Sequence, residues 1–89
     1  LEVDTIDQII GSLSMKIDGY LLDNMSPKKV KKAVQIIRDQ PAGNSIFIEA
    51  SGGIDYNNLE KYASAGVDGV SMSAITTKAP VPDIKLEFN

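Results

Sequence analysis

Gly19-Tyr20-Leu21-Leu22-Asp23-Asn24-Met25-Ser26-Pro27 decides the fold class of this chain. A short apolar run ends in an acid. Soon after it, Ser26 supplies a helix N-cap and Pro27 sits at the first helical position. Val30, Ala33, Val34 and Ile37 then recur at i, i+3, i+4, i+7, the stripe of an amphipathic helix. The same unit recurs on both sides. Upstream, Leu1-Glu2-Val3-Asp4 precedes Thr5 and Gln8 in capping-box spacing, with Ile6, Ile9, Ile10 and Leu13 as the apolar stripe. Downstream, Ser45-Ile46-Phe47-Ile48-Glu49-Ala50 precedes a helix that starts at Asp55 or Asn57. Leu59, Tyr62 and Ala63 form its apolar side, and Gly66 suits the C′ position. Gly69-Val70-Ser71-Met72 is the fourth run.

The last three runs are continuous rather than alternating, which predicts strands buried on both faces of a parallel sheet. Alternating strands and helices imply parallel strands joined by crossovers. The expected fold class is α/β, with βα repeats forming the C-terminal half of a TIM-like, open α/β barrel. A complete barrel needs about 250 residues, and the chain has 89. An open sheet would leave buried-type strands exposed at its edges. Residues 1–89 are therefore expected to be the C-terminal portion of a larger barrel domain. The tail Ile84-Lys85-Leu86-Glu87-Phe88 alternates strictly and reads as a further strand with one covered face and no evident partner.

Composition excludes several chemistries. With 43% hydrophobic and 24% charged residues the chain is of ordinary globular type. It has no Cys and no His, so it contains neither a thiolate nucleophile nor a Ser-His triad nor a His-liganded zinc site. The net charge of −3 argues against nucleic acid as a partner. No apolar run is long enough to span a bilayer. Lys28, Lys29, Lys31 and Lys32 flank Val30 on one helix and read as a solvated face. Tyr20, Phe47, Tyr62 and the methionines read as packing residues. Arg38 is the only arginine, so any arginine cluster must come from elsewhere.

In parallel barrels the site lies at the C-terminal ends of the strands. Those ends carry Glu2 and Asp4, Asp23 and Asn24, Glu49 and Ser51, and Ser71 and Ser73. Adjacent strands lie about 4.8 Å apart, so Glu2 and Asp23 can approach one bound polyol or Mg²⁺. Taken singly, each acid fits a helix cap or a solvated rim equally well. Ser51-Gly52-Gly53 follows a buried strand and precedes a helix, a place where backbone N–H groups and a helix N-terminus favour an anion. Met72-Ser73-Ala74, small residues apart from Met72, sit in the corresponding place after the next run. The residues present bind anions, hydroxyls and metal; none forms a nucleophile–base pair. A phosphosugar isomerase or aldolase, with Glu49 as base, and a non-catalytic half-barrel are the competing classes.

Leu22-Asp23-Asn24-Met25-Ser26-Pro27, Glu49-Ala50-Ser51-Gly52-Gly53-Ile54 and Gly66-Val67-Asp68 with its following Ser-x-x-Ala-x-Thr stretch resemble the C-terminal part of quinolinate phosphoribosyltransferase, also called nicotinate-nucleotide pyrophosphorylase (carboxylating). The resemblance runs from Glu2 to the Ala79–Asp83 region. It implies an enzyme that makes nicotinate mononucleotide, pyrophosphate and CO₂ from quinolinate and phosphoribosyl pyrophosphate with Mg²⁺, in NAD biosynthesis. It implies a cytoplasmic protein that assembles as a homodimer or hexamer, with an N-terminal sandwich domain beside the open barrel. By the same resemblance, Glu2 and Asp23 are the catalytic carboxylates that hold ribose hydroxyls and, directly or indirectly, the metal. Ser51, Gly52 and Gly53 form the 5′-phosphate loop, and Met72, Ser73 and Ala74 form the second phosphate-binding segment. The Arg, Lys and His residues that grip quinolinate fall outside this chain, so the segment alone is expected to be inactive. The family usually has Gly where Ser73 stands and often His where Thr77 stands. Ser73 and the Pro82–Lys85 ending also resemble the ModD-type proteins that share the fold.

Overall fold

The computed structural model describes residues 1–72 and the strand Lys85–Phe88. The elements run β1 (Glu2–Val3), α1 (Ile6–Ser12), β2 (Gly19–Asp23), α2 (Pro27–Arg38), a 3₁₀ turn (Gly43–Ser45), β3 (Phe47–Ser51), α3 (Leu59–Ser64), β4 (Gly69–Met72) and β5 (Lys85–Phe88). All five strands form one parallel sheet in the order β1-β2-β3-β4-β5. The expected βα alternation is thus present. The tail strand, for which the sequence offered no partner, pairs in parallel with β4, Gly69 opposite Lys85 and Met72 opposite Phe88. No helix among the described residues is long and apolar enough to cross a membrane.

Local chemistry sets the helix ends. Thr5 Oγ1 accepts from the Gln8 N–H, and Gln8 Oε1 accepts from the Thr5 N–H in return, a complete capping box. Ser26 Oγ accepts from the Lys29 N–H and Pro27 opens α2, as expected. Gly66, at φ +98°, occupies the left-handed position just after the end of α3. The third helix starts later than the sequence suggested. Asp55 and Asn58 form a hydrogen-bonded turn first, and Asn58, not Asp55 or Asn57, is the N-cap residue.

One face of the sheet is covered by helices, and the other is open along β2 and β3. Val3, Tyr20, Leu22, Ile48, Ala50, Val70 and Met72 point to the helix side and are buried with Ile9, Val30, Val34, Ile37, Leu59 and Tyr62. Fully burying each such large side chain contributes about 1.5–3 kcal/mol. The opposite face alternates out of the core, half-buried or exposed along β2 and β3. This corrects the expectation of strands buried on both faces for β2 and β3, whereas β4 is buried at every position from Gly69 to Met72, as expected. Within this chain the helices lie on one side only, and continuity of apolar residues did not distinguish the two cases. Phe47 is on the uncovered face and 42% exposed, not a core residue, and Met15 is exposed as well. Ile10, assigned to the apolar stripe of α1, is also exposed, because only Ile9 of that turn reaches the sheet squarely. The lysines of α2 face solvent, as their flanking of Val30 predicted.

The far end of the sheet is fastened by the sole arginine. Arg38 Nη1 donates to the carbonyls of Gly43 and Ile46, at 2.7 and 2.6 Å, and Nη2 donates to Asp68 Oδ2 at 2.8 Å. The same Oδ2 accepts from the Ile48 N–H at 2.8 Å. The end of α2, the 3₁₀ turn and the entries to β3 and β4 are thereby tied together, away from the C-terminal strand ends.

Candidate functional site

Strand register places the acids on the uncovered face. Glu2 pairs with Leu21, Leu21 with Glu49, and Glu49 with Gly69, so these residues form one row across the sheet. Asp23 and Ser51 form the next row, one step nearer the C-terminal ends. Among the described residues, Asp23 ends its strand and Asp4 directly follows the end of β1. Glu2 and Glu49 lie one row deeper, on the wall that leads to the mouth.

The structure brings four of the expected residues together. Glu2 and Asp23 line one cleft of about 220 Å³ with Val3, Asp4 and Gln8. Ser51 Oγ donates to Asp23 Oδ1 at 3.0 Å across the β2–β3 pair. The Asn24 N–H donates to the Ser51 carbonyl at 2.9 Å, which holds the start of the next loop against β3. Gly52 then turns at φ +90° directly over this contact. A Cβ there would come within 2.7 Å of the Asn24 nitrogen and 3.1 Å of Asp23 Oδ1, so no side chain fits. The glycine-rich loop and the acid thus meet because Gly52 permits a backbone approach that any other residue would block.

Gly53 continues the turn at φ +71°, with open space around it and on the exposed rim. Its carbonyl accepts from Asn58 Nδ2 at 3.0 Å. The N–H groups of Gly52 and Gly53 have no acceptor among the described residues. The expected helix N-terminus does not follow this loop directly: α3 begins at Leu59 and carries Glu60 in its first turn. Any anion preference of the loop must come from its free amides rather than from the helix. Met72 directs its side chain into the core, leaving only its backbone for the mouth. Ser73, Ala74 and Thr77 lie outside the described residues. On the wall, Glu49 Oε2 accepts from Ser71 Oγ at 3.0 Å, so a serine on the following strand fixes this acid too.

Gln8 and Tyr62 were not legible as site residues, and Asn24 was legible only as a strand-end position. Gln8 lines the cleft while its Oε1 also accepts from the Asp4 N–H at 2.7 Å; the capping-box spacing was its only signal. Asn24 takes a left-handed φ of +57°, a conformation for which Asn after a strand-end Asp is a favoured choice. Tyr62 was assigned to packing, yet its hydroxyl donates to the Met25 carbonyl at 2.9 Å, just beyond Asp23 and Asn24. The signal was tyrosine rather than phenylalanine on a buried stripe, since a buried phenol needs a partner. A wider groove of about 570 Å³ between α2 and α3 is lined by Pro27, Lys28, Lys31 and Lys61 among others. It belongs to the outer helix layer and contains none of the sheet's acids.

The family model for the C-terminal domain of quinolinate phosphoribosyl transferase matches residues 1–87. The chain belongs to this family. It is 37% identical over 99% of its length to a probable nicotinate-nucleotide pyrophosphorylase (carboxylating) of Methanothermobacter thermautotrophicus, of which it covers 32%. It is 29% identical over 99% of its length to the human nicotinate-nucleotide pyrophosphorylase (carboxylating), covering 29% of that protein. The solved nicotinate-nucleotide pyrophosphorylase of Francisella tularensis superposes with a TM-score of 0.69 at 35% identity, over 86% of this chain and 26% of that one. The chain therefore spans between a quarter and a third of the length of these relatives. Its parallel βα units agree with the C-terminal half of the barrel domain of a quinolinate phosphoribosyltransferase.

Proposed function

We propose that the chain is the phosphoribosyl-binding part of a longer enzyme that converts quinolinate and phosphoribosyl pyrophosphate to nicotinate mononucleotide, CO₂ and pyrophosphate. One observation carries the reading: Asp23, held by Ser51 Oγ, lies directly under the Gly52 turn. A phosphoribosyl group has hydroxyls at one end and a 5′-phosphate at the other. A fixed carboxylate beside a turn with free amides matches that distribution.

The chemistry follows from what these groups do. Displacement of pyrophosphate at the anomeric carbon passes through an oxocarbenium-like transition state. Asp23 and Glu2, on one cleft, would accept hydrogen bonds from the ribose hydroxyls and favour the developing positive charge. Ser51 leaves Asp23 with one oxygen oriented and the other open to substrate. The amides of Gly52 and Gly53 would hold the 5′-phosphate, which orients the sugar for in-line attack by the pyridine nitrogen. Met72, Ser73 and Ala74 are proposed as the second phosphate segment, through backbone N–H groups.

Mg²⁺ fits this donor set in a limited way. No group of three acidic side chains converges among the described residues. Glu2 and Asp23 can offer one or two carboxylates, which suits an ion that keeps several waters and takes further oxygens from phosphates. Such an ion would neutralise the leaving pyrophosphate. Grip on the quinolinate carboxylates and the decarboxylation step are assigned to segments beyond this chain, in a homodimer or hexamer of the full-length protein.

The deciding experiment is turnover of quinolinate with phosphoribosyl pyrophosphate by the full-length enzyme and by its Glu2→Ala and Asp23→Ala variants. Loss of nicotinate mononucleotide formation in both is expected. Variants with unaltered turnover and unaltered substrate binding would overturn the reading.

A further inference from the structure

Two turns form the mouth, one carrying Asp23 and the other Gly52 and Gly53, and both are held by the segment that begins α3. Asn58 Nδ2 donates to the Gly53 carbonyl at 3.0 Å. Four residues later, one helical turn on, the Tyr62 hydroxyl donates to the Met25 carbonyl at 2.9 Å. Residues spaced i, i+4 share a helix face, so one side of α3 reaches both turns. Met25 is itself buried, and only Asn24 separates it from Asp23. Asn24 is in turn fixed by its N–H to the Ser51 carbonyl. Through the Met25 carbonyl, the Tyr62 hydroxyl thus ties α3 to the segment that leads out of Asp23 and Asn24.

We infer that Tyr62 is a positioning residue, whose hydroxyl sets the Asp23 loop against the Gly52–Gly53 turn and so fixes the spacing between the ribose-binding and phosphate-binding ends of the mouth. The inference rests on the phosphoribosyl reading of that mouth. The Tyr62 hydroxyl acts through the Met25 carbonyl, while Asn58 separately holds the Gly53 side of the mouth. Burial pushes its phenol above the ordinary value of 10.0, so the hydroxyl stays a donor throughout the neutral range.

A matched control exists in the same chain. Tyr20 is a second buried tyrosine, and its hydroxyl shares a 2.6 Å hydrogen bond with Ser12 at the C-terminal end of α1, away from the mouth. Tyr62→Phe and Tyr20→Phe each delete one buried hydroxyl and keep the ring. In the full-length enzyme both should lower Tm by a similar few degrees, about 2–4 °C. Only Tyr62→Phe should raise KM for phosphoribosyl pyrophosphate, by about ten-fold, with KM for quinolinate unchanged. Asp23→Asn, measured alongside, separates the two levels of the argument. If Asp23→Asn impairs use of phosphoribosyl pyrophosphate while Tyr62→Phe matches Tyr20→Phe in every kinetic constant, the positioning role is overturned and the site reading stands. If Asp23→Asn also leaves the constants unchanged, both fall.

Discussion

Ser51 donates its hydroxyl hydrogen to Asp23 Oδ1 at 3.0 Å, and the two residues are direct partners in the β2–β3 register. A carboxylate on an uncovered sheet face has several rotamers open to it. The serine restricts them by holding Oδ1, and the second oxygen has no partner among the described residues. The same device recurs on the wall, where Ser71 holds Glu49.

Replacing Asp23 by Asn keeps the shape and removes the charge. In the full-length enzyme, kcat/KM for phosphoribosyl pyrophosphate should fall by roughly 10²-fold or more. Ser51→Ala removes only the orienting hydrogen bond and should cost about ten-fold, or ~1.4 kcal/mol. Steady-state kinetics at fixed quinolinate would rank the two, and a Ser51→Ala enzyme as impaired as Asp23→Asn would contradict the division of roles.

Gly52→Ala places a methyl group against the Asn24 backbone at a φ that L-residues avoid. The turn must open, at a cost of about 1–3 kcal/mol. Thermal unfolding should show that loss, and KM for phosphoribosyl pyrophosphate should rise as the loop withdraws from Asp23. Gly53→Ala has the positive φ but no clash. It should cost less, and equal losses in the two variants would show that close approach is not what Gly52 provides.

Arg38→Met should destabilise without touching the mouth. It strips hydrogen bonds from two carbonyls and removes the ion-pair partner of Asp68, which keeps its bond from the Ile48 N–H. The pair is partly solvated, so the expected loss is modest, about 1–3 kcal/mol. Denaturant midpoints would measure it, while KM values should stay within about two-fold, since the effect is global rather than local.

The Tyr62 phenol gives a pH signature. Desolvation raises its value in the folded state above the ordinary 10.0. Above pH 10 the unfolded chain therefore releases this proton before the folded one does. Stability contributed by the neutral phenol is complete below pH 10 and declines as pH climbs from there towards the raised folded value. Wild type is expected to be more stable than Tyr62→Phe at pH 8, and the gap should narrow above pH 10. A gap that stays constant from pH 8 to pH 11 would show that the phenol is not held in a desolvated place.

Much of this arrangement is written locally. The capping box at Thr5 and Gln8, the Ser26-Pro27 start of α2 and the positive-φ Gly66 are decided by a few neighbouring residues, and each formed where its spacing indicated. Glu2, Asp23, Ser51 and Gly52 stood out because parallel βα units put strand ends near one mouth, and the structure brings them together there. Other features depend on partners distant in the chain. The register that sets Glu2 opposite Leu21, one row below Asp23, is a property of strand pairing across α1. The bond from Tyr62 to Met25 spans 37 residues and leaves only the choice of a phenol as its trace. Phe47 and Ile10 were misassigned because an apolar residue announces burial but not which surface will cover it.

By itself, then, the sequence determined the order of strands and helices, the helix boundaries fixed by caps, the class of the sheet and the identity of the acids and glycines available for a site. These follow from short-range sterics, hydrogen bonding and apolar periodicity, which act within a turn or two of chain. Tertiary structure alone decided which face the helices cover, how deep each acid lies, that Ser51 orients Asp23, and that Gly52 closes over both. These depend on register and on the approach of backbones far apart in sequence, which no local pattern encodes.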